Sequence, residues 1–517
     1  FENIPVDTTY INFSNENITT EKVFYYYKDS TVIPMYLTYK KGIKMDGNNP
    51  VLLYGYGGFG KSMEPFFNPA NIADSRYSWD FNLVSLNTYV GNNQASFKLK
   101  NIGQTRGDSM LNQFIGKNAG LTKALVNVVV HGPSLMINTS KKSAIALTTR
   151  ARVMMNANDI DAPLANQITD GSSGDISFPY TINSNANMSV GINGWTEYGF
   201  SYAMVITDKD KHFFKGGLTL KYLAGAANGY LNINSLKGTM DYDDIKEEAY
   251  LQNSTGNMQL GFGGINLDDF EPNQLLAFKS RGIGADLGVV YEVRPRYEKY
   301  RLDDNSWRND MNKYKLRVGV ALLDLGSLQY ERDMQRSGAY NMDITGPEKW
   351  YVNELSDVAV DDLKNYFDTH PQYFTPGTAN SEKKYKVALP SSLRVDADYH
   401  FNKGVYINVA GQLSLVSASG KAWNSYYYSS LTVTPRIESR KLGLYIPVNY
   451  NQLTKLNAGV SVRLGQLFVG SGSALTALFG NSKQVDFHVG IRFGGLRKNM
   501  FKKQEREREK EAEKLTQ

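Results

Sequence analysis

From residue 393 to residue 493 the chain repeats one pattern, apolar and polar at every second position, strand after strand. Val485, Phe487, Val489, Ile491 and Phe493 alternate with Asp486, His488, Gly490 and Arg492, so one face is apolar and the other carries charge. A soluble sheet has the same period of two, but it keeps ions sparse at mid-strand on its buried side. Here ions recur at strand centres. Lipid accepts backbone only in helices or closed sheets, and a tilted strand of about ten residues is enough to cross it. The pattern predicts an all-β fold, a transmembrane antiparallel β-barrel with a polar lumen.

The same alternation extends through the rest of the chain. Leu393, Val395, Ala397, Tyr399 and Phe401 stand opposite Arg394, Asp396, Asp398 and His400, and Leu456, Ala458, Val460, Val462 and Leu464 alternate with a polar row that includes Arg463. Leu442, Leu444, Ile446, Val448 and Tyr450 form another apolar row, as do Val405, Ile407, Val409, Leu413 and Leu415. Upstream, Ile145, Leu147, Thr149, Ala151 and Val153 leave Arg150 and Arg152 on the other face. Ile283, Ala285, Leu287, Val289, Tyr291 and Val293 leave Asp286, Glu292 and Arg294 inward. Strands of this length give about fourteen across the region, an even number as single-chain barrels need. Polar loops are expected over residues 159–177 and 301–313. An insert over residues 346–369 is expected to hold a helix near residues 358–368, in an extracellular loop or a plug.

The lumen-facing candidates are therefore Arg150, Arg152, Asp286, Glu292, Arg294, Arg394, Asp396, Asp398, His400, Arg463, Asp486, His488 and Arg492. They invite a transport-site reading. Both signs are interspersed, which favours ions pairing with one another to fill a narrow lumen. His400 and Asp398 share a face about 7 Å apart by strand rise, but no third ligand accompanies them, so no metal site is expected.

Composition narrows the chemistry. The chain has no cysteine, which excludes disulfides, thiol nucleophiles and cysteine-ligated zinc. Its 34 tyrosines and 46 glycines against 16 prolines suit long strands with aromatic girdles. Mean hydropathy is negative and no apolar run is long enough for a transmembrane helix. A net charge of +6 over 517 residues gives no case for nucleic-acid binding.

The first sixty residues have a different texture. Val23-Phe24-Tyr25-Tyr26-Tyr27, a turn at Lys28-Asp29-Ser30 and Ile33-Pro34-Met35-Tyr36-Leu37 precede Pro50-Val51-Leu52-Leu53-Tyr54-Gly55-Tyr56-Gly57-Gly58-Phe59. This phrase resembles the start of the α/β-hydrolase domain of the prolyl oligopeptidase family. The resemblance implies an oxyanion-hole role for Tyr56 and a substrate-pocket role for Phe59. It stops there: no G-x-S-x-G nucleophile turn follows, and none of the five histidines stands in a matching context. A prolyl oligopeptidase-type serine peptidase is the alternative function, inactive without nucleophile and His/Asp partners. Gly55 to Ser62 also matches the phosphate-loop expression G-x-x-x-x-G-K-S, but Pro65 and Pro69 break the helix that phosphate binding requires, so no nucleotide and no other cofactor is expected.

Asn68-Pro69-Ala70, the segment from Gly132 to Arg152, and the segment from Gly282 to Glu292 resemble a Gram-negative outer-membrane barrel family of unknown function, distantly like long-chain fatty acid transporter barrels. The domain reading is a prolyl-oligopeptidase-like fragment over residues 1–62, the barrel over 63–495, and a charged periplasmic tail over 496–517. An outer-membrane protein needs an export signal, and none stands at Phe1. The junction between Phe59 and Asn68 is thus read as two parents joined, not as a natural fusion. The function expected is that of a non-enzymatic outer-membrane protein, a channel or carrier for small or hydrophobic solutes or an export accessory, with membrane lipid as its partner.

Overall fold

The computed structural model describes residues 18–26, 32–40, 64–98, 120–170, 176–183, 188–265, 280–301, 308, 311–378, 382–402, 404–439 and 442–496. Contacts divide the chain into Phe1–Tyr54 and Gly55–Gln517. In the first unit, Ile18–Tyr26 and Val32–Lys40 form an antiparallel hairpin with Ile18 opposite Lys40 and Tyr26 opposite Val32. Tyr56, Phe59, the phosphate-loop match and the tail beyond residue 496 lie outside the described residues.

The second unit is a closed antiparallel barrel, fourteen strands around among the described residues. Closure is made between the ends of the barrel sequence: Tyr77–Asn92 pairs with Gln484–Leu496 on one side and with Leu121–His131 and Ser134–Asn138 on the other. Several strands are broken and resume along the same neighbour. Leu442–Tyr445 and Val448–Asn451 are two pieces of one strand, parted at Pro447, whose ring leaves no N–H for a ladder. Alternation is kept. Leu147, Val153, Phe200, Leu220, Ile283, Leu413 and Leu431 are among the large apolar side chains exposed on the outer face, while Arg150, Arg152, Asp286 and Arg294 on neighbouring positions are buried. Exposed leucine and phenylalanine at such density around a closed sheet is the surface that hydrocarbon covers.

One rim carries short turns at residues 139–142, 210–211 and 465–466, together with the longer connection over residues 294–315, and holds Tyr77 and Leu496. The opposite rim carries the other long connections. There the strands overshoot any bilayer: His212–Asp243 has 32 residues, about 100 Å of extended chain. Their projecting halves meet the insert in a separate apolar core that includes Met240, Leu260, Met342, Trp350, Phe367 and Phe374. The insert's helix is Leu363–Thr369, led by a 3-10 turn at Val360–Asp362, so it starts later than its sequence suggests. The expected loop over residues 159–177 is instead the end of strand Ser143–Asp161 followed by the helix Ala162–Asp170, with Asp161 Oδ1 accepting from the Leu164 N–H.

One sector of the wall is not a ladder. Lys455–Ala458 and residues 484–487 each pair on one side only among the described residues, and the short helix Ala474–Phe479 lies between the two strands. Thr476 Oγ1 accepts from the Ala458 N–H at 2.7 Å, and Asp486 accepts from Gly472 N at 2.5 Å and Ser473 Oγ at 2.6 Å. Side chains thus satisfy backbone that a neighbouring strand would normally satisfy.

Candidate functional site

The lumen is entered by chain from both rims. From the short-turn side comes the segment before the first strand, a helical turn Glu64–Phe67 and a 3-10 turn Pro69–Ile72. Asn68 caps the second turn: its Oδ1 accepts from the Ala70 N–H, and its Nδ2 donates to the wall carbonyls of Val289 and Val320 at 3.1 and 3.2 Å. Close approach needs a flat wall, and glycine provides it. A Cβ on Gly288 would meet Asn68 Oδ1 at 2.1 Å, and one on Gly217 would meet Ala70 N at 2.5 Å. Ile72 and Ala73 are fully buried against Met136, Ala144, Ala146 and Ala203. Asn68-Pro69-Ala70 is therefore an interior plug that precedes the first strand.

Charge pins this plug. Lys215 Nζ donates to the Ala73 carbonyl at 2.6 Å, and Asp74 receives Arg294 Nη2 at 2.9 Å and Lys313 Nζ at 2.8 Å. Glu292 holds Arg294 in turn at 2.5 Å. Burial pushes the Asp74 carboxyl up, but Lys313, Arg294 and Lys215 outweigh it and hold the group well below the usual carboxylate range. Lys313 is lowered to about 8, because burial and the neighbouring Arg294 outweigh the attraction of Asp74.

From the long-loop side, the connection over residues 415–429 folds inward. Asn156 Nδ2 and Asn228 Nδ2 donate to the carbonyls of Tyr426 and Trp423, which draws Trp423 and Tyr427 down into the barrel. Beneath them lies a layer of six buried ions. Asp324 meets Arg150 at 2.6 Å, Lys221 at 2.6 Å and Arg152 at 2.9 Å. Glu197 meets Arg150 at 2.7 Å and Arg152 at 3.1 Å, and accepts from Trp195 Nε1 at 2.8 Å. Asp286 takes Lys221 at 2.6 Å and the Asp324 N–H at 2.7 Å. Three cations face three carboxylates, so the layer is neutral.

Cavities lie between these obstructions. One of about 720 Å³ sits among Ser414, Val416, Ser417, Tyr427, Tyr428 and Gln452. A second, of about 290 Å³, reaches from Tyr427 and Tyr428 past His131 to Phe67 and Arg394. A third, of about 380 Å³, shares Phe67, Asn87 and Arg394 and runs to Phe468, Arg317 and Glu438. A small one of about 40 Å³ continues from Arg317 and Glu438 to Arg76 and Tyr77 near the short-turn rim. Each shares lining residues with the next, so they form one string along the barrel axis. Phe67 stands at its middle.

A family model described as a family of unknown function, DUF5723, matches residues 69–472. The chain belongs to this family. Two solved structures are similar in fold to the DUF5723 barrel. The toluene transporter TbuX of Ralstonia pickettii is 13% identical, with 85% of this chain and 97% of that one covered and a TM-score of 0.38. A Pseudomonas aeruginosa FadL homologue is 10% identical, with 85% and 100% covered and a TM-score of 0.37. Separately, a prolyl endopeptidase of Elizabethkingia meningoseptica is 51% identical over 61 residues, 12% of this chain. The chain spans only 9% of that relative's length.

In the DUF5723 barrel the thirteen lumen-facing candidates fall into distinct places. Arg150, Arg152 and Asp286 join the six-ion layer, and Glu292 and Arg294 join the plug anchor. Asp398 is held by Arg436 at 2.5 and 2.7 Å and by the Tyr314 hydroxyl, while Asp396 pairs with Arg317 at 3.4 Å. Asp398 is thus committed to arginine, and His400 stacks on Tyr406 with ring centroids 4.3 Å apart. Arg492 forms a bidentate pair with Asp80, Arg463 donates to the carbonyls of Gly465 and Ser439, and Asp486 stabilises the strand-free sector. His488 lines the third cavity, and Arg394 lies between the second and third. Glu197, Lys221 and Asp324 escape the sequence reading. Alternation with Tyr198 and Phe200, and with Leu220 and Tyr222, was the signal for the first two. Asp324 gave none: its strand carries Val320 outward, which would send residue 324 outward too, but a bulge opposite Ala285 and Leu287, with Asp324 at φ +56°, turns it in.

Proposed function

We propose that this protein is a non-enzymatic outer-membrane barrel that takes small solutes through its lumen. The observation that carries the reading is the string of cavities along the axis, interrupted by the plug at Phe67 and by the inward loop at Tyr427. A barrel that served only as an anchor would gain nothing from a cavity on each side of a docked plug. Short turns and both barrel termini on one rim orient that rim towards the periplasm. The peptidase-like first segment contributes no chemistry in this reading.

The test is solute uptake by liposomes holding the purified chain, with a variant lacking residues 64–76 as the open comparison. Radiolabelled glucose, glycine and benzoate entering faster through the open variant than through empty liposomes is the expected result. A folded open variant as tight as empty liposomes overturns the proposal. Labelling by a serine-reactive phosphonate together with cleavage of a proline-containing peptide would overturn its non-enzymatic half.

A further inference from the structure

Almost every lumenal cation has a bonded partner, a carboxylate or a carbonyl. Each of the three cations of the six-ion layer has a carboxylate, Arg294 and Lys313 have Asp74 and Glu292, Lys215 has the Ala73 carbonyl, Arg436 and Arg492 hold Asp398 and Asp80, and Arg463 has two carbonyls. Arg394 breaks the rule. Among the described residues its guanidinium makes no hydrogen bond and no ion pair; the contact it has is the face of the Phe67 ring, 4.6 Å from ring centre to Cζ. The carboxylate nearest along its own strand, Asp396, is taken by Arg317. Its side chain borders both the 290 Å³ and the 380 Å³ cavity, so five fixed N–H donors are offered to the string at the point where the plug narrows it.

Asp396 attracts the guanidinium from a distance without bonding to it, and a partly buried cation with no bonded counter-ion is costly unless something brings the opposite charge into contact. Guanidinium is matched in shape by carboxylate, which accepts two parallel N–H bonds. The surroundings set what the rest of the molecule must be. Phe66, Leu125, Val129 and Leu323 line the cavity above, and Pro447 and Phe468 line the one below. Both volumes suit a small organic molecule and not a macromolecule.

We infer that the two cavities flanking Phe67 form one binding site for a small organic carboxylate, with Arg394 as its anchoring cation and the apolar part of the ligand lying against Phe67. The inference rests on the lumen being a solute path. Binding at this site competes with the Arg394–Phe67 contact, which ties occupancy to the position of the plug's last aromatic ring.

Equilibrium dialysis of the full chain in detergent against benzoate and hexanoate, each beside its uncharged amide, tests it. The acids are expected to bind at least about tenfold tighter than the amides, the scale of a charge-assisted hydrogen bond. Arg394→Gln is expected to remove that preference, bringing the acids down to the level of the amides, and Arg394→Lys to retain part of it. Acids and amides bound alike, or a preference that survives Arg394→Gln, overturns the carboxylate assignment alone. If neither acid nor amide binds the chain, and neither enters liposomes through the variant lacking residues 64–76, the solute path fails with it. Should Arg394→Gln not fold, Phe67→Ala keeps the question open to measurement: losing the ring weakens acid and amide alike but frees the guanidinium, so the preference for acid over amide is expected to rise; an unchanged or smaller preference counts against the site.

Discussion

Replacing Asp324 with asparagine isolates the worth of charge balance in the lumen. Asp324 is where three cations converge, with Arg150 Nη2 and Lys221 Nζ 2.6 Å from Oδ1 and Arg152 Nη1 2.9 Å from Oδ2. Asparagine keeps the size and tolerates the left-handed backbone at φ +56°, so the bulge survives and the charge alone is lost. The layer then holds three cations over two carboxylates. A unit pair at about 3 Å is worth about 5 kcal/mol at an effective dielectric of 20, and the desolvation already incurred by the cations remains. Breaking a buried pair in this way costs about 3–5 kcal/mol. Lys221→Met restores neutrality, so the double variant is expected to be less unstable than the two single losses added, by about 1–3 kcal/mol. Guanidinium unfolding in phospholipid vesicles, followed by tryptophan emission, measures this, because Trp195 donates to Glu197 and lies 4.7 Å from Arg152. Asp324→Asn unfolding within about 0.5 kcal/mol of the parent, or strictly additive losses, would refute the reasoning.

Three further outcomes follow from the same geometry. Gly288→Val, whose Cβ would overlap Asn68 Oδ1, and Asn68→Ala, which frees the carbonyls of Val289 and Val320, loosen the plug by different routes. Both are expected to raise glucose entry into liposomes, and a folded pair of variants as tight as the parent would count against plug docking at this wall. Lys313, at about 8 in the folded chain against an ordinary 10.5, carries a proton in both states below pH 8; between the two values the unfolded chain binds the extra proton. Stability therefore rises with pH across that window by up to about 1.4 kcal/mol per unit, a slope that Lys313→Met should lack when unfolding is compared from pH 7 to 10.5. Leu220→Arg places a charge on the exposed apolar belt and is expected to cost about 2–4 kcal/mol in vesicles, whereas an unchanged midpoint would argue that lipid does not cover this face.

Alternation made the barrel legible because every strand residue has only two faces to choose from. The rows through Leu147, Ile283, Leu413 and Phe487 needed no neighbour to declare their direction, and the ring of strands agrees with the expected number. Features that depend on a partner across the lumen carried no local trace. The inward run of residues 415–429 is held by Asn156 and Asn228, more than 190 positions away in sequence. Asp324 is aimed by a bulge that breaks the parity on which the reading relied. Asn68-Pro69-Ala70 was visible as a phrase, but its docking surface, Gly217 and Gly288, lies on two other strands and is recognisable only once they are side by side.

The sector around the helix Ala474–Phe479 sets how the cylinder can change its girth. Elsewhere circumference is fixed by continuous main-chain lacing, and parting two staves would strand a row of amides in hydrocarbon. Around Ala458 and Asp486 the join is made by Thr476, Gly472 and Ser473 and by the side-chain pairs Asn457–Ser482 and Thr454–Gln484, a handful of contacts that a substitution can lengthen or shorten. A change confined to these contacts can widen or narrow the bore without redrawing the register of any other stave.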